Sequence, residues 1–143
     1  MRDFTLQALD ATHSDRILEL VQLLNPHVSA EDLRSRLAEN WGFQGYHTLG
    51  LFNTEGKIIA ISSAWVTTRL YGGKLVELDN VIVDPEYRGG VGSFFLEQLQ
   101  EWAKAQGCVR MELKTYVTNK RSHKFYFDHG FDIRAFYFVK GLE

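Results

Sequence analysis

Residues 81–95 read VIVDPEYRGGVGSFF. A β-branched run meets a proline, and Arg88, Gly89, Gly90 and Gly92 follow in quick succession before an apolar stretch of helical character. A strand that passes through glycines into a helix N-terminus builds an anion site. The first amides of a helix have no partner within it, and the aligned peptide dipoles add partial positive charge there. Glycine lets a phosphate approach the backbone with no Cβ in the way. The physical reading is a pyrophosphate cradle, with Arg88 at its mouth. A P-loop would need Lys-Ser or Lys-Thr after the last glycine, and neither follows Gly92. A dinucleotide fingerprint would need a third small residue where Phe95 stands, on a strand that opens a βαβ unit. The alternative to a cradle is a tight strand-to-helix turn that binds nothing.

Working outward, FTLQALD alternates and predicts a first strand. Ser14 can cap a helix over DRILELVQLLN, where Ile17, Leu20, Val21 and Leu24 recur at helical spacing and Pro26 is the stop. Ser29 with Asp32 is a capping-box pattern that predicts a second helix over SAEDLRSRLAEN. YHTLGLFN, TEGK and IIAISSAWVTTRLY predict a hairpin, and KLVELDNVIV returns after Gly72-Gly73 as a further strand. Beyond the glycines come a helix SFFLEQLQEWAKAQ, a strand VRMELKTYV, a helix KRSHKFYFDH capped by Asn119, and a final strand FDIRAFYFVKGL. This order predicts an α/β fold, with a mixed and mostly antiparallel central sheet flanked by helices. The 143 residues suggest one domain over 1–143.

Composition narrows the function. The net charge of -2 supplies no global basic field to draw the protein to nucleic acid or an anionic membrane. No apolar run approaches the ~20 residues of a membrane span. The single cysteine, Cys108, excludes an internal disulfide framework and fits a reducing compartment. No signal-peptide pattern opens the chain, so a cytoplasmic protein with a small-molecule partner is expected. The five histidines make no metal site, since His123 and His129 on one helix face different ways. Lys114, Lys120, Arg121 and Lys124 lie among aromatics, and read first as a solvated face, then as contacts to an anionic cofactor, and last as a nucleic-acid surface.

Two segments carry a resemblance. VIVDPEYRGGVGSFFLEQL resembles the acyl-CoA-binding motif of the GNAT superfamily of acetyl-CoA-dependent N-acetyltransferases. NKRSHKFYFDHGF is similar to a second segment of that family at Asn119, Ser122, Tyr126, Gly130 and Phe131. One departure is visible. Only Gly89 separates Arg88 from the Gly90-Val91-Gly92 cradle, where the family has two residues. Either the turn is one residue tighter and displaces Arg88, or Tyr87 takes the Gln/Arg place.

The resemblance implies the GNAT fold and acetyl transfer from acetyl-CoA, a co-substrate, to a primary amine of a small molecule. The amine attacks the thioester directly in a ternary complex, and no metal is needed. It implies Val81, Ile82 and Val83 along the pantetheine arm. Arg88, Gly89, Gly90, Val91, Gly92 and Ser93 would lie at the pyrophosphate, with Asn119 and Ser122 at the arm. Tyr126 would protonate the leaving thiolate. Glu77 and Asp79, two apart and so on one strand face, would take the amine proton through water; a solvated strand face or salt bridges to Arg69 or Lys74 is the competing reading. The segment between Asn25 and Gly45, with His27, Trp41, Phe43 and Tyr46 nearby, is where an amine pocket would form. Many relatives are dimers, which leaves a homodimer open here. A protein amine as acceptor, or a non-catalytic acyl-CoA sensor or subunit, are the rival readings.

Overall fold

The computed structural model describes residues 3–87 and 89–143, and the chain forms two compact units, Met1–Glu112 and Leu113–Glu143. The first unit holds β1 (Thr5–Leu9), α1 (Ser14–Leu24), α2 (Ala30–Asn40), β2 (Tyr46–Phe52), β3 (Ile58–Arg69), β4 (Gly73–Val83) and α3 (Val91–Ala105). Strand β5 (Arg110–Leu113) runs from the end of the first unit into the first residue of the second, which holds α4 (Lys120–Asp128). The sheet order is β1-β2-β3-β4-β5, the order of the chain itself, and β1 to β4 pair antiparallel throughout.

The two faces of the sheet are covered by different helices. Ile17, Leu20 and Val21 of α1 and Leu33 and Leu37 of α2 pack with Leu9, Tyr46, Ile58 and Ile61 in one core cluster. Leu49, Ala60, Ala64, Val76 and Leu78 alternate with that set along their strands and are fully buried, so they make up the opposite face. His47, on this second face, meets the Trp102 ring of α3 at 5.2 Å.

Most predicted elements are present, with three differences. The approach to α1 is capped by Asp10 rather than Ser14. Its side chain accepts from Thr12 N–H, and a 3-10 turn at Ala11–His13 leads into the helix, leaving Ser14 as the first helical residue. The strand predicted over 109–117 contracts to Arg110–Leu113, and Tyr116 and Val117 stand exposed. The strand predicted over 131–142 is absent: 131–143 has no regular structure, and Phe136 and Phe138 are exposed. Alternating aromatics favour a strand only where a neighbouring strand completes the ladder, and among the described residues this segment joins none.

Candidate active site

Strand β4 carries most of the site, and a bulge shapes it. Ile82 pairs with Ile61 and Asp79 with Ser63, so Asn80 and Val81 together oppose Ser62. Asn80 takes a left-handed conformation, φ 49°, which Asn tolerates better than most residues because its short amide can bond locally. Alternation predicts Asn80 on the face opposite Asp79. Instead the bulge turns it toward α1, where Asn25 Nδ2 donates to Asn80 Oδ1 at 3.2 Å. Asn25, at the C-terminus of α1, also donates to Val21 O at 3.0 Å, so the helix end grips the bulge. The bulge leaves Val81 out of the regular β3 pairing, while Val83 pairs with Ala60 and Ile82 packs against the α1 and α2 core.

Glu77 and Asp79 lie on the α1 and α2 face, directly across from Trp65 and Ser63. Asp79 is exposed to solvent, although protein atoms crowd its carboxyl. Burial pushes its carboxyl above the usual range. Ser63, Trp65 and Asn80 act against that as hydrogen-bond donors, and the Glu77 charge adds to it. Behind Asp79 runs a line of buried hydroxyls: Thr48 Oγ1 donates to Tyr46 Oη at 2.8 Å, and Tyr46 Oη lies 3.2 Å from Ser63 Oγ. Aromatic rings wall the same face. Tyr46 and Trp65 meet at 4.7 Å with their rings tilted, Phe43 meets Trp65 at 5.8 Å and Trp41 meets Tyr46 at 5.3 Å. His27, in the predicted acceptor region, is exposed.

Beyond β4 the chain is anchored before it reaches the glycines. Asp84, 7% exposed, accepts from Glu86 N–H at 3.0 Å and from Arg16 Nη2 at 2.5 Å, while its own N–H donates to Ile59 O at 2.7 Å. The Glu86 N–H above all, and then the Arg16 guanidinium, hold its carboxyl below the usual range. Sequence reasoning passed over Arg16, Asp84, Ser63 and Trp65. The one signal available was the Asp-Pro pair at 84–85, typical of a turn start. Tyr87 ends a 3-10 turn with the Lys57 ammonium over its ring at 5.3 Å. Arg88 lies outside the described residues. Gly89 (φ 106°) and Gly90 (φ 86°) are both left-handed, and Gly90 is the N-cap of α3 with no side-chain cap. Val91 turns its side chain into the core, 5% exposed, while Gly92 and Ser93 complete the first turn. These are the conditions for backbone amides to meet an anion.

In the second unit Asn119 Oδ1 accepts from Ser122 N–H at 3.1 Å, so both residues serve as the cap of α4. The Tyr126 ring stands edge-on to Phe125 and Phe131, and burial pushes its phenol above the ordinary value. His123 and His129 each engage a backbone carbonyl, of Tyr116 and Phe125. Among the described residues no three His, Cys, Asp or Glu side chains gather as a metal site, and no helix is long and apolar enough to cross a membrane. Burial raises the Cys108 thiol, the opposite of what a nucleophile needs.

The model of the acetyltransferase (GNAT) family matches residues 15–131. The chain belongs to that family. Its class of chemistry is therefore that of acetyl-CoA-dependent N-acetyltransferases. An aminoalkylphosphonate N-acetyltransferase from Salmonella typhimurium is 27% identical over 133 residues, 90% of this chain and 85% of that protein. Among solved structures, an aminoglycoside N-acetyltransferase AAC(6')-Iy in complex with CoA superposes with a TM-score of 0.79 at 21% identity, over 96% of this chain and 94% of that one. A glucosamine-6-phosphate N-acetyltransferase from Arabidopsis thaliana gives 0.71 at 24% identity, over 98% of this chain and 99% of that one. These likenesses establish the fold of this GNAT member; the acceptors belong to the proteins so named.

Proposed function

We propose that this GNAT protein transfers the acetyl group of acetyl-CoA to the primary amine of a small molecule, by direct attack with both substrates bound. We read residues 1–143 as one catalytic domain. The observation that carries the reading is the layout of β4. Two carboxylates, a bulge that frees backbone, and an uncapped glycine turn follow one another along a single strand and its exit. Each meets one demand of the reaction.

The amine arrives protonated and gives its proton, through water, to the Glu77/Asp79 pair. Asp79 is our candidate acceptor within the pair, because burial raises its carboxyl toward the range of an amine. The neutral nitrogen attacks the thioester carbon, and backbone N–H near Val81 stabilises the oxygen as charge develops. The N–C bond forms and the C–S bond breaks. Tyr126 is our candidate to protonate the departing thiolate: its phenol, raised by burial, stays protonated at neutral pH and so carries a proton to give. Val81 to Val83 would run beside the pantetheine arm. Gly89, Gly90, Val91, Gly92 and Ser93 would hold the pyrophosphate with Arg88, and Asn119 and Ser122 would meet the arm.

Calorimetry with acetyl-CoA, against ADP and NAD as controls, tests the cradle, and amine-dependent thiol release tests the transfer. Selective binding with turnover upholds the reading. Binding without turnover on any amine would make the protein an acyl-CoA sensor or subunit, and the shortened glycine turn is the feature that favours that outcome. No binding at millimolar acetyl-CoA would sink both.

A further inference from the structure

Three buried hydroxyls stand behind Asp79, and counting their protons gives the line a direction. Thr48 is completely buried, and Ser63 and Tyr46 are nearly so. In such a place each O–H needs an acceptor, because a buried donor left unmade loses its water and gains nothing in return. Thr48 Oγ1 gives its proton to Tyr46 Oη at 2.8 Å. Tyr46 Oη lies 3.2 Å from Ser63 Oγ, a distance at which either oxygen can donate. If Ser63 donated, Tyr46 would accept twice, and its own proton would have no acceptor among the described residues. The count therefore makes Tyr46 the donor to Ser63. Ser63 then has one proton left to give, and Asp79 stands directly across the strand pair as a carboxylate that can only accept. Ser63 is indeed one of the hydrogen-bond donors to that carboxyl.

The phenol is also held in place. Trp41 meets its ring at 5.3 Å and Trp65 at 4.7 Å, so Oη cannot swing away from the line. Hydrogen bonds in a row polarise one another, and the bond to a charged acceptor is the strongest of them. We infer that Tyr46 is a positioning residue for the reaction: by accepting from Thr48 and donating to Ser63, it turns the Ser63 proton onto the Asp79 carboxylate. The inference rests on the acetyl-transfer reading above, in which Asp79 must be a carboxylate to take the amine proton. The directed line holds that carboxylate charged and in one orientation before each transfer. It loosens once the proton arrives, because a neutral acid accepts less strongly from Ser63. Other groups also act on Asp79 or surround it. Trp65 and Asn80 donate to it as well, and the charge that acts on it is that of Glu77. On the covering helices Arg16 pairs with Asp84 and Glu19, and Arg34 with Asp15. Glu31, Asp32, Arg36 and Glu39 of α2, and His27 before it, are exposed. None of these is altered by removing the Tyr46 hydroxyl, so a comparison of variants isolates the line.

The test is Tyr46→Phe in the full chain, which keeps the ring and removes the hydroxyl. Carbon-13 NMR follows the Asp79 carboxyl through pH with no substrate present. Its titration midpoint should rise by about 0.3–1 pH unit in the variant. The acid limb of the kcat/KM profile, read by thiol release, should move up with it. In Ser63→Ala, which removes the last donor of the line, the midpoint should rise further, and adding Tyr46→Phe to that variant should change nothing more. A midpoint that Tyr46→Phe leaves unchanged overturns the inference. So does an equal shift in the Ser63→Ala background, since Tyr46 would then not act through Ser63. A shifted midpoint with an unmoved acid limb overturns it too, because Asp79 would not be the group prepared for the reaction. If the parent releases no thiol with any amine, the acetyl-transfer reading fails by itself, and the titration alone decides whether Tyr46 directs Ser63. If melting shows that Tyr46→Phe does not fold, Thr48→Val, which removes the proton that Tyr46 accepts, takes its place with a rise in the same direction and the same dependence on Ser63.

Discussion

Asp79 has two effects of opposite sign. Its folded pKa lies above the ordinary value, so between the two values the folded state holds more protons than the unfolded state. Stability therefore falls as pH rises through that window. Asp79→Asn should match the parent in melting temperature below about pH 4, and exceed it increasingly as pH rises above that. The same variant should lose about 10²–10⁴ in kcat if Asp79 is the base. A variant that is destabilised at neutral pH would refute the linkage. If the phenol serves the leaving thiolate and not the cradle, Tyr126→Phe should lower kcat by a similar ~10²–10⁴ while acetyl-CoA binding by calorimetry is kept. At this scale the sequence showed which side chains could do chemistry and was poor about where they point. Glu77 and Asp79 could be placed on one face from strand alternation alone. Asn80 could not, because a bulge breaks the alternation and its position depends on the partner strand. The Tyr46, Thr48 and Ser63 hydroxyl line needs the register of β2 against β3, which no local pattern encodes.

Two elements are pinned by polar contacts from α1, one at each end of the candidate site. Asn80→Gly keeps the left-handed bulge and loses the Asn25 contact and the long Asn80 Nδ2 hydrogen bond to Asp79, so its effect on melting should be small. Asn80→Val forces a β-branched residue into that conformation and should cost about 1–3 kcal/mol in chemical denaturation. If Val81 to Val83 do run beside the pantetheine arm, the KM for acetyl-CoA should rise more in the valine variant than in the glycine variant. The Arg16–Asp84 pair works at the other end. Asp84→Asn takes the buried one of two carboxylates from the Arg16 guanidinium, leaving the exposed Glu19, and should cost about 1–3 kcal/mol at neutral pH. Because the folded Asp84 carboxyl is held below its ordinary value, that stabilisation is present above about pH 4 and is lost as pH falls through the folded value. Denaturation curves of the two proteins should therefore converge in acid; a constant gap would mean that the charge is not what holds the turn. The glycine turn itself was legible, since glycine and proline are strong punctuation, whereas the clamp was not, since Arg16 and Asp84 are far apart in the chain.

Across the whole chain, burial is unevenly distributed. Leu49, Ile59, Ala60, Ile61 and Val76 are completely inaccessible, while Phe136, Phe138 and Val139 are exposed. Hydrogen exchange should follow this contrast: amides in the middle of β3 need an opening close to global unfolding, and those of 132–140 should exchange within seconds. Protection at 132–140 would mean that the segment pairs as a strand in solution. The element order was readable because each helix and turn announces itself locally. The final strand was misread because a strand is a property of two segments, and FYF at 136–138 states only one side of the pair. The order of the sheet, β1 to β5 as in the chain, also bears on how the protein is made. On the ribosome each strand from β2 onward emerges to find the strand it pairs with already synthesised, and the loops to be closed between β2, β3 and β4 are short. Only β1 must wait, through both α1 and α2, for its partner. The sheet thus grows at a single edge, and a ribosome paused once β4 has emerged would hold a four-stranded meander already bearing Glu77 and Asp79, with the helix that supplies the glycine-turn amides still to come.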